Sequence, residues 1–148
     1  MPIYAAYGSN LDPARMAQRC PGAAPLGAAL LPGWRLVVNR YASIAPAEGM
    51  AVPIGLWRVT EAHRRALDRA EGVALGIYRR VRIPLPGAAA EGFTYVEQRH
   101  RAGPPSADYV AHLRAGYGAF GLDVSVLEES LAAAEALSRA SRDSRLVI

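Results

Sequence analysis

The sequence predicts an α+β fold: a small mixed, mostly antiparallel β-sheet or β-barrel of five to six strands with helices packed around its periphery. Three observations carry this. Apolar stretches of strand length follow one another, without the regular alternation with helical patterns that a doubly wound parallel sheet requires. Helix-start chemistry is confined to the beginning, middle and end of the chain, at Asp12-Pro13, Thr60, Ser106 and Ser125. The 148 residues, half hydrophobic and a fifth charged, can bury one core, so a single domain spanning 1–148 is expected without disulfide or metal staples.

The elements follow in order. Ile3 to Tyr7 reads as a short buried strand. Asp12-Pro13 then supplies an N-cap and a proline at the first helical position, where its missing N–H would be unpaired anyway. That helix is expected to reach about Cys20 and stop at Pro21-Gly22. Pro25 to Gly33 reads as turn-rich, Trp34 to Val38 as a strand, Tyr41 to Ala45 as another, and Pro46 to Gly49 as a turn. Ala51 to Val59 is a strand in which Pro53 implies an edge position or a bulge. Thr60 caps a helix through Ala70 that Gly72 stops. Gly76 to Pro84 is a strand, Pro86 to Gly92 a loop and Phe93 to Gln98 a strand, with Gly103-Pro104-Pro105 breaking the chain. Ser106 opens a helix to about Gly116. Ser125 and Glu128, at capping-box spacing, open a last one to about Arg139. The tail from Ser141 is expected to fray or lie over the surface.

Composition removes several function classes. No apolar run approaches the roughly 20 residues needed to span a bilayer, and the N-terminus shows no basic region leading into an apolar core, so a cytoplasmic protein is expected. The single cysteine, Cys20, forbids an internal disulfide and fits a reducing compartment. In Cys20-Pro21-Gly22 it reads as the structural end of a helix. Net charge is +4, but all 17 basic residues are arginine, spread along a chain rich in Ala, Gly and Pro. This points to a coding bias, not to selection for phosphate contacts, and no RNA-binding aromatic signature accompanies Arg79-Arg80-Val81-Arg82. No nucleic-acid or membrane partner is expected; a homodimer is left open. His63, His100 and His112 lack short-spaced partners, and His63, on an arginine-rich helix, is expected to face solvent. No metal is expected.

Two features carry chemistry. In YAAYGSNLDP, Tyr4 to Pro13, three small residues separate a buried strand from a helix start. The loop has neither the lysine of a P-loop nor GxGxxG, but a strand–loop–helix junction exposes backbone N–H groups that attract anions. With Asp12 capping the helix, the free donors would be those of Gly8 to Asn10, which suits a carboxylate better than a polyphosphate. An ordinary tight turn remains the competing reading.

The second feature is Leu67-Asp68-Arg69-Ala70-Glu71-Gly72. Glu71 sits at the negative end of a helix dipole, a placement that costs roughly 0.3–1 kcal/mol when exposed. A solvated glutamate is the plain alternative. A site that wants a base would exploit the same placement, since a helix C-terminus and burial both raise a carboxylate pKa. A free glutamate near 4.3 taking a proton from an ammonium near 8 works about 5 kcal/mol uphill; raising the base toward 6–7 removes about half of that or more. A carboxylate cradle and an amine base together suggest an amino-acid-like substrate.

AYGSNL, LDRAEGVALGIY and PPSADY, in that order, together with Gly121-Leu122 before the final helix, resemble the γ-glutamylcyclotransferase family. Its members carry a YGSN-type loop after the first strand and an LDxxEG segment with a tyrosine seven residues past the glutamate, the spacing of Glu71 and Tyr78 here. The resemblance covers nearly the whole chain, although Cys20 to Met50 matches no family motif closely. It implies a compact γ-glutamylcyclotransferase-like fold built on a small barrel, with no cofactor. It also implies intramolecular attack of a γ-glutamyl α-amine on its own γ-carbonyl, releasing 5-oxoproline and an amino acid or amine. Carried over, Glu71 would be the general base and acid. Tyr4, Ala5, Ala6, Tyr7, Gly8 and Ser9, with Asn10 beside them, would form the γ-glutamyl cradle, and Tyr78 and Tyr109 would line the pocket and offer hydroxyls. The alternative is a non-catalytic domain binding a γ-glutamyl or amino-acid-like ligand in the same cradle.

Overall fold

The computed structural model describes residues 2–85 and 91–146. Among the described residues, five strands and four helices run β1 (Ile3–Ala6), α1 (Pro13–Arg19), β2 (Ala24–Val38), β3 (Ala42–Arg58), α2 (Glu61–Ala70), β4 (Tyr78–Pro84), β5 (Glu91–Glu97), α3 (Ala107–Phe120) and α4 (Val124–Leu146). Single turns of 3-10 helix lie at Ser9–Leu11 and Val73–Leu75. Among the described residues no helix is long and apolar enough to cross a membrane.

The sheet has the order β2-β3-β1-β5-β4. Among the described residues every pairing is antiparallel except β1 with β5. It is open, which corrects the expectation of a barrel. Both edges resist further pairing: β4 turns Arg79, Arg80 and Arg82 to solvent, and β2 carries Pro25 and Pro32, which have no N–H to donate.

Two long strands replace the turns and short strands expected between Pro25 and Gly49. The glycines there are bulges, not chain reversals. The β2–β3 register slips between Pro25 and Gly27 and again between Pro32 and Trp34, where Gly27 and Gly33 have φ of 112° and 85°. Pro46 to Gly49 stays within β3: Pro32 pairs with Ala51 and Trp34 with Pro46, so residues 47–50 bulge out opposite Gly33. Pro53 lies in an internal strand, but beyond the stretch Gly55 to Arg58 that β1 covers.

Helix boundaries follow the capping residues more closely. Asp12 caps α1, Thr60 caps α2 and Ser106 caps α3 through side-chain oxygens. His63 is half-buried and hydrogen-bonded at both ring nitrogens, so it is not free in solvent. Its Nδ1 accepts from the Thr60 N–H at 3.1 Å, so Nε2 carries the proton and donates to Pro21 O at 2.7 Å, tying α2 to the end of α1. Helix α3 continues past Gly116 to Phe120 and stops at Gly121, whose φ of 64° suits a glycine. Asp123, not Ser125, caps α4, since Ser125 N and Oγ both donate to its Oδ1. That helix passes through Ser141 to Leu146, where a frayed tail was expected; Ala, Leu, Glu and Arg dominate it, and all are good helix formers. Of the expected loop Pro86 to Gly92, Glu91 and Gly92 belong to β5 and 86–90 lie outside the described residues.

Helix α3 fixes the position of the loop after β1. Gly116 is required there, because a Cβ would overlap the Leu11 Cβ and sit 2.9 Å from Asp12 N. Leu11, Met16, Leu67 and Leu113 are fully buried around this contact, so the loop and the C-terminus of α2 rest on one core.

Candidate active site

The loop Tyr7 to Leu11 leaves the buried strand β1 and closes one tight turn, Leu11 N donating to Gly8 O at 3.0 Å and Asp12 N to Ser9 O at 3.1 Å. Asp12 Oδ1 accepts from Ala14 N at 3.0 Å, and its Oδ2 meets His112 Nδ1 at 2.6 Å. The Ser9 and Asn10 N–H groups therefore have no acceptor among the described residues. This matches the arrangement expected from Asp12. The loop borders a cavity of about 350 Å³ walled by Tyr4, Tyr7, Gly8, Ser9 and Asn10 on one side and Glu71, Tyr78 and Tyr109 on the others.

Glu71 reaches this cavity because α2 ends on it and Gly72, at φ 67°, turns the chain away. Its side chain is 18% exposed. Asn10 is the hub that holds it: Nδ2 donates to Glu71 Oε1 at 3.2 Å and to Tyr4 Oη at 3.0 Å, while Oδ1 accepts from Arg19 Nη1 at 2.7 Å. Arg19 Nη1 is also 3.8 Å from Glu71 Oε1. Burial pushes the Glu71 carboxyl above its ordinary range, and Arg19, Arg15 and the Asn10 hydrogen bond pull it back only in part.

The remaining expected residues divide into two groups. Tyr78 donates to Ala42 O at 2.7 Å and Tyr109 accepts from Ala42 N at 2.9 Å, so both hydroxyls frame the cavity around the start of β3. A Cβ on Gly8 would meet the Tyr109 hydroxyl at 3.5 Å and the Ala42 Cβ at 3.4 Å, so the loop passes close to both. Ala5 and Ala6 are fully buried within β1 and do not border the cavity. They pair with Leu56 and Gly55 of β3, and Ala5 O accepts from Thr94 Oγ1 at 2.7 Å, so they anchor the cradle from behind. Cys20 is buried with Sγ 3.7 Å from His63 O and does not line the cavity.

The cavity wall also holds Arg15, Arg19, Arg69, Arg101, Tyr41 and Tyr95, none of which the sequence reading had singled out. Arg15 and Arg19 had a usable signal, being one helical turn apart directly after the loop. Arg101 comes from the irregular segment after β5, with its guanidinium 3.9 Å from the Tyr41 ring centre and 3.7 Å from Glu97 Oε2. With four arginines against one carboxylate, the described cavity lining carries a net positive charge. Chemically, the arrangement offers a largely buried base of raised pKa, free backbone donors and cationic walls.

The AIG2-like family model matches residues 52–125, which include Glu71, Tyr78 and Tyr109. Among solved structures, a gamma-glutamyl cyclotransferase is similar, with a TM-score of 0.78 and 25% identity over 87% of this chain and 85% of that one. An uncharacterized protein from Homo sapiens is similar with a TM-score of 0.77 and 26% identity, over 86% of this chain and 85% of its own. YkqA from Bacillus subtilis shares the fold, with a TM-score of 0.73 and 21% identity over 90% of this chain and 54% of that protein. No curated protein sequence matches the chain.

Proposed function

Because the chain belongs to the AIG2-like family, we propose that it is a cofactor-independent γ-glutamyl cyclotransferase acting on small γ-glutamyl compounds. The observation that carries this reading is Glu71: a largely but not fully buried carboxylate of raised pKa, sharing Asn10 with a loop whose amides are free. The similarity to a gamma-glutamyl cyclotransferase structure supports it.

The substrate's α-carboxylate or γ-carbonyl oxygen binds the Ser9 and Asn10 amides, and Arg15 and Arg19 add attraction for the anion. Glu71 takes a proton from the α-ammonium. The freed amine then closes on the γ-carbon, a short path because nucleophile and electrophile belong to one molecule. Glu71 passes its proton to the departing nitrogen as the old C–N bond breaks. A second proton follows from the α-nitrogen, so lactam and amine both leave in their stable forms with no water consumed. A single tuned base contributes roughly 10²–10⁴-fold to such a reaction.

The test is release of 5-oxoproline from a panel of γ-glutamyl dipeptides and γ-glutamyl amines. Release by the wild-type protein, with a loss of about 10²-fold or more in Glu71→Gln, supports the proposal. Tight calorimetric binding with no product across the panel would replace it with a γ-glutamyl-binding domain.

A further inference from the structure

Six tyrosines border the cavity, and their hydroxyls are not equivalent. Tyr7 donates to Tyr95 O at 2.6 Å, Tyr78 to Ala42 O at 2.7 Å and Tyr95 to Asp68 Oδ1 at 2.6 Å, so three protons are committed to the protein. The Tyr41 ring is covered by Arg101. Tyr109 keeps its proton but shares no hydrogen-bond partner with Glu71. Tyr4 differs from all of these. Its oxygen accepts from Asn10 Nδ2, and its own proton has no acceptor among the described residues, although the residue is only 5% exposed.

We propose that the Tyr4 hydroxyl is a catalytic hydrogen-bond donor to the γ-carbonyl oxygen of the substrate, stabilising the oxyanion that forms when the α-amine attacks. This rests on the reading of the site as a cyclotransferase. Tyr4 Oη and Glu71 Oε1 hang on the same amide nitrogen at 3.0 and 3.2 Å. They therefore lie within about 6 Å of each other, a span that an attacking nitrogen and the adjacent carbonyl oxygen can bridge at hydrogen-bond distance. Asn10 donates into the Tyr4 oxygen, which strengthens the outgoing O–H as a donor. The ring is clamped by Phe93, stacked at 5.4 Å, and by Tyr95 edge-on at 5.8 Å, so the hydroxyl is pre-oriented. Burial holds the phenol far above its ordinary pKa, so the proton stays in place to be shared.

In the step itself the nitrogen lone pair forms the new C–N bond and the carbonyl π pair moves onto oxygen. Tyr4 holds that oxygen by a hydrogen bond and keeps its own proton. The pair returns to re-form the carbonyl as the leaving nitrogen, protonated by Glu71, departs.

Tyr4→Phe tests the idea, since the ring and its packing remain. The expected result is a fall in kcat of about 10²–10³-fold with KM within about three-fold of wild type. The limb of the pH profile that reports Glu71 stays where it was. Calorimetry on Glu71→Gln and Glu71→Gln/Tyr4→Phe should give the same dissociation constant for a γ-glutamyl dipeptide, as expected of a contact made in the transition state. A kcat within three-fold of wild type overturns the proposal. So does a loss explained by a displaced pH limb, which would make Tyr4 only a positioner of Glu71, or a loss of dipeptide binding in the double variant. Wild-type protein that releases no 5-oxoproline removes both this inference and the function it rests on, whereas active wild type with an unimpaired Tyr4→Phe removes this inference alone.

Discussion

At Glu71 burial, three arginines and the end of a helix dipole all act on one carboxylate. Its folded-state pKa lies above the unfolded one, so the native protein holds this proton more tightly than the unfolded chain does. The group favours folding below its unfolded pKa, and that contribution is lost as pH rises through the folded value. Glu71→Gln should accordingly be more stable than wild type near pH 8, with the difference shrinking toward zero below about pH 4; denaturant unfolding at both pH values measures it. Arg19, 3.8 Å from the same oxygen, acts in the opposite sense. Removing it in Arg19→Met should raise the Glu71 pKa further and move the acid limb of kcat/KM to higher pH. An unmoved limb would mean that Glu71 does not set it. Glu71 could be singled out from sequence because a carboxylate one residue before a helix-stopping glycine breaks a local rule. Arg101 could not, because it lies in an irregular segment after β5 and its place at the cavity depends on the distant Tyr41, a contact with no helical or strand period to announce it.

The elements around the site are held in place by close packing at glycine. Helix α3 reaches the loop after β1 only because Gly116 has no side chain, the nearest backbone atom lying 2.7 Å from where a Cβ would be. Two residues on, Gly118 faces open space in the same helix. Gly116→Ala is therefore expected to destabilise by about 1–3 kcal/mol through overpacking. Gly118→Ala should stabilise by roughly 0.5–1 kcal/mol by reducing the freedom of the unfolded chain. Chemical denaturation of the two variants side by side separates contact from helix propensity, and equal effects would remove the proposed role of Gly116. The helix starts were legible in the sequence because Asp12, Thr60 and Ser106 act on amides two or three residues away. The β2–β3 pair was not. Gly27, Gly33 and Gly49 carry turn chemistry locally, yet pairing across some thirteen partnered positions keeps the chain extended through them. Bulge and turn use the same residues, and only the partner strand decides between them.

Over the whole molecule, the cavity is assembled from segments far apart in the chain: the loop after β1, the first helix, the end of α2, the start of β3 and the first turn of α3. Their common orientation comes from the central strand β1, which pairs with β3 on one side and β5 on the other. The family resemblance was legible because its motifs fall on the loop and on the C-terminus of α2, the places where backbone and carboxylate meet. Sheet closure was not, since the order β2-β3-β1-β5-β4 leaves edges that only the three-dimensional pairing reveals. The most direct test of the account is the time course of 5-oxoproline release from a γ-glutamyl dipeptide by wild type and by Glu71→Gln at equal, verified foldedness. The account predicts stoichiometric release of 5-oxoproline and free amino acid by wild type, and a rate reduced by about 10²-fold or more in the variant. Equal rates in the two proteins, or binding of the dipeptide without any product, would contradict it.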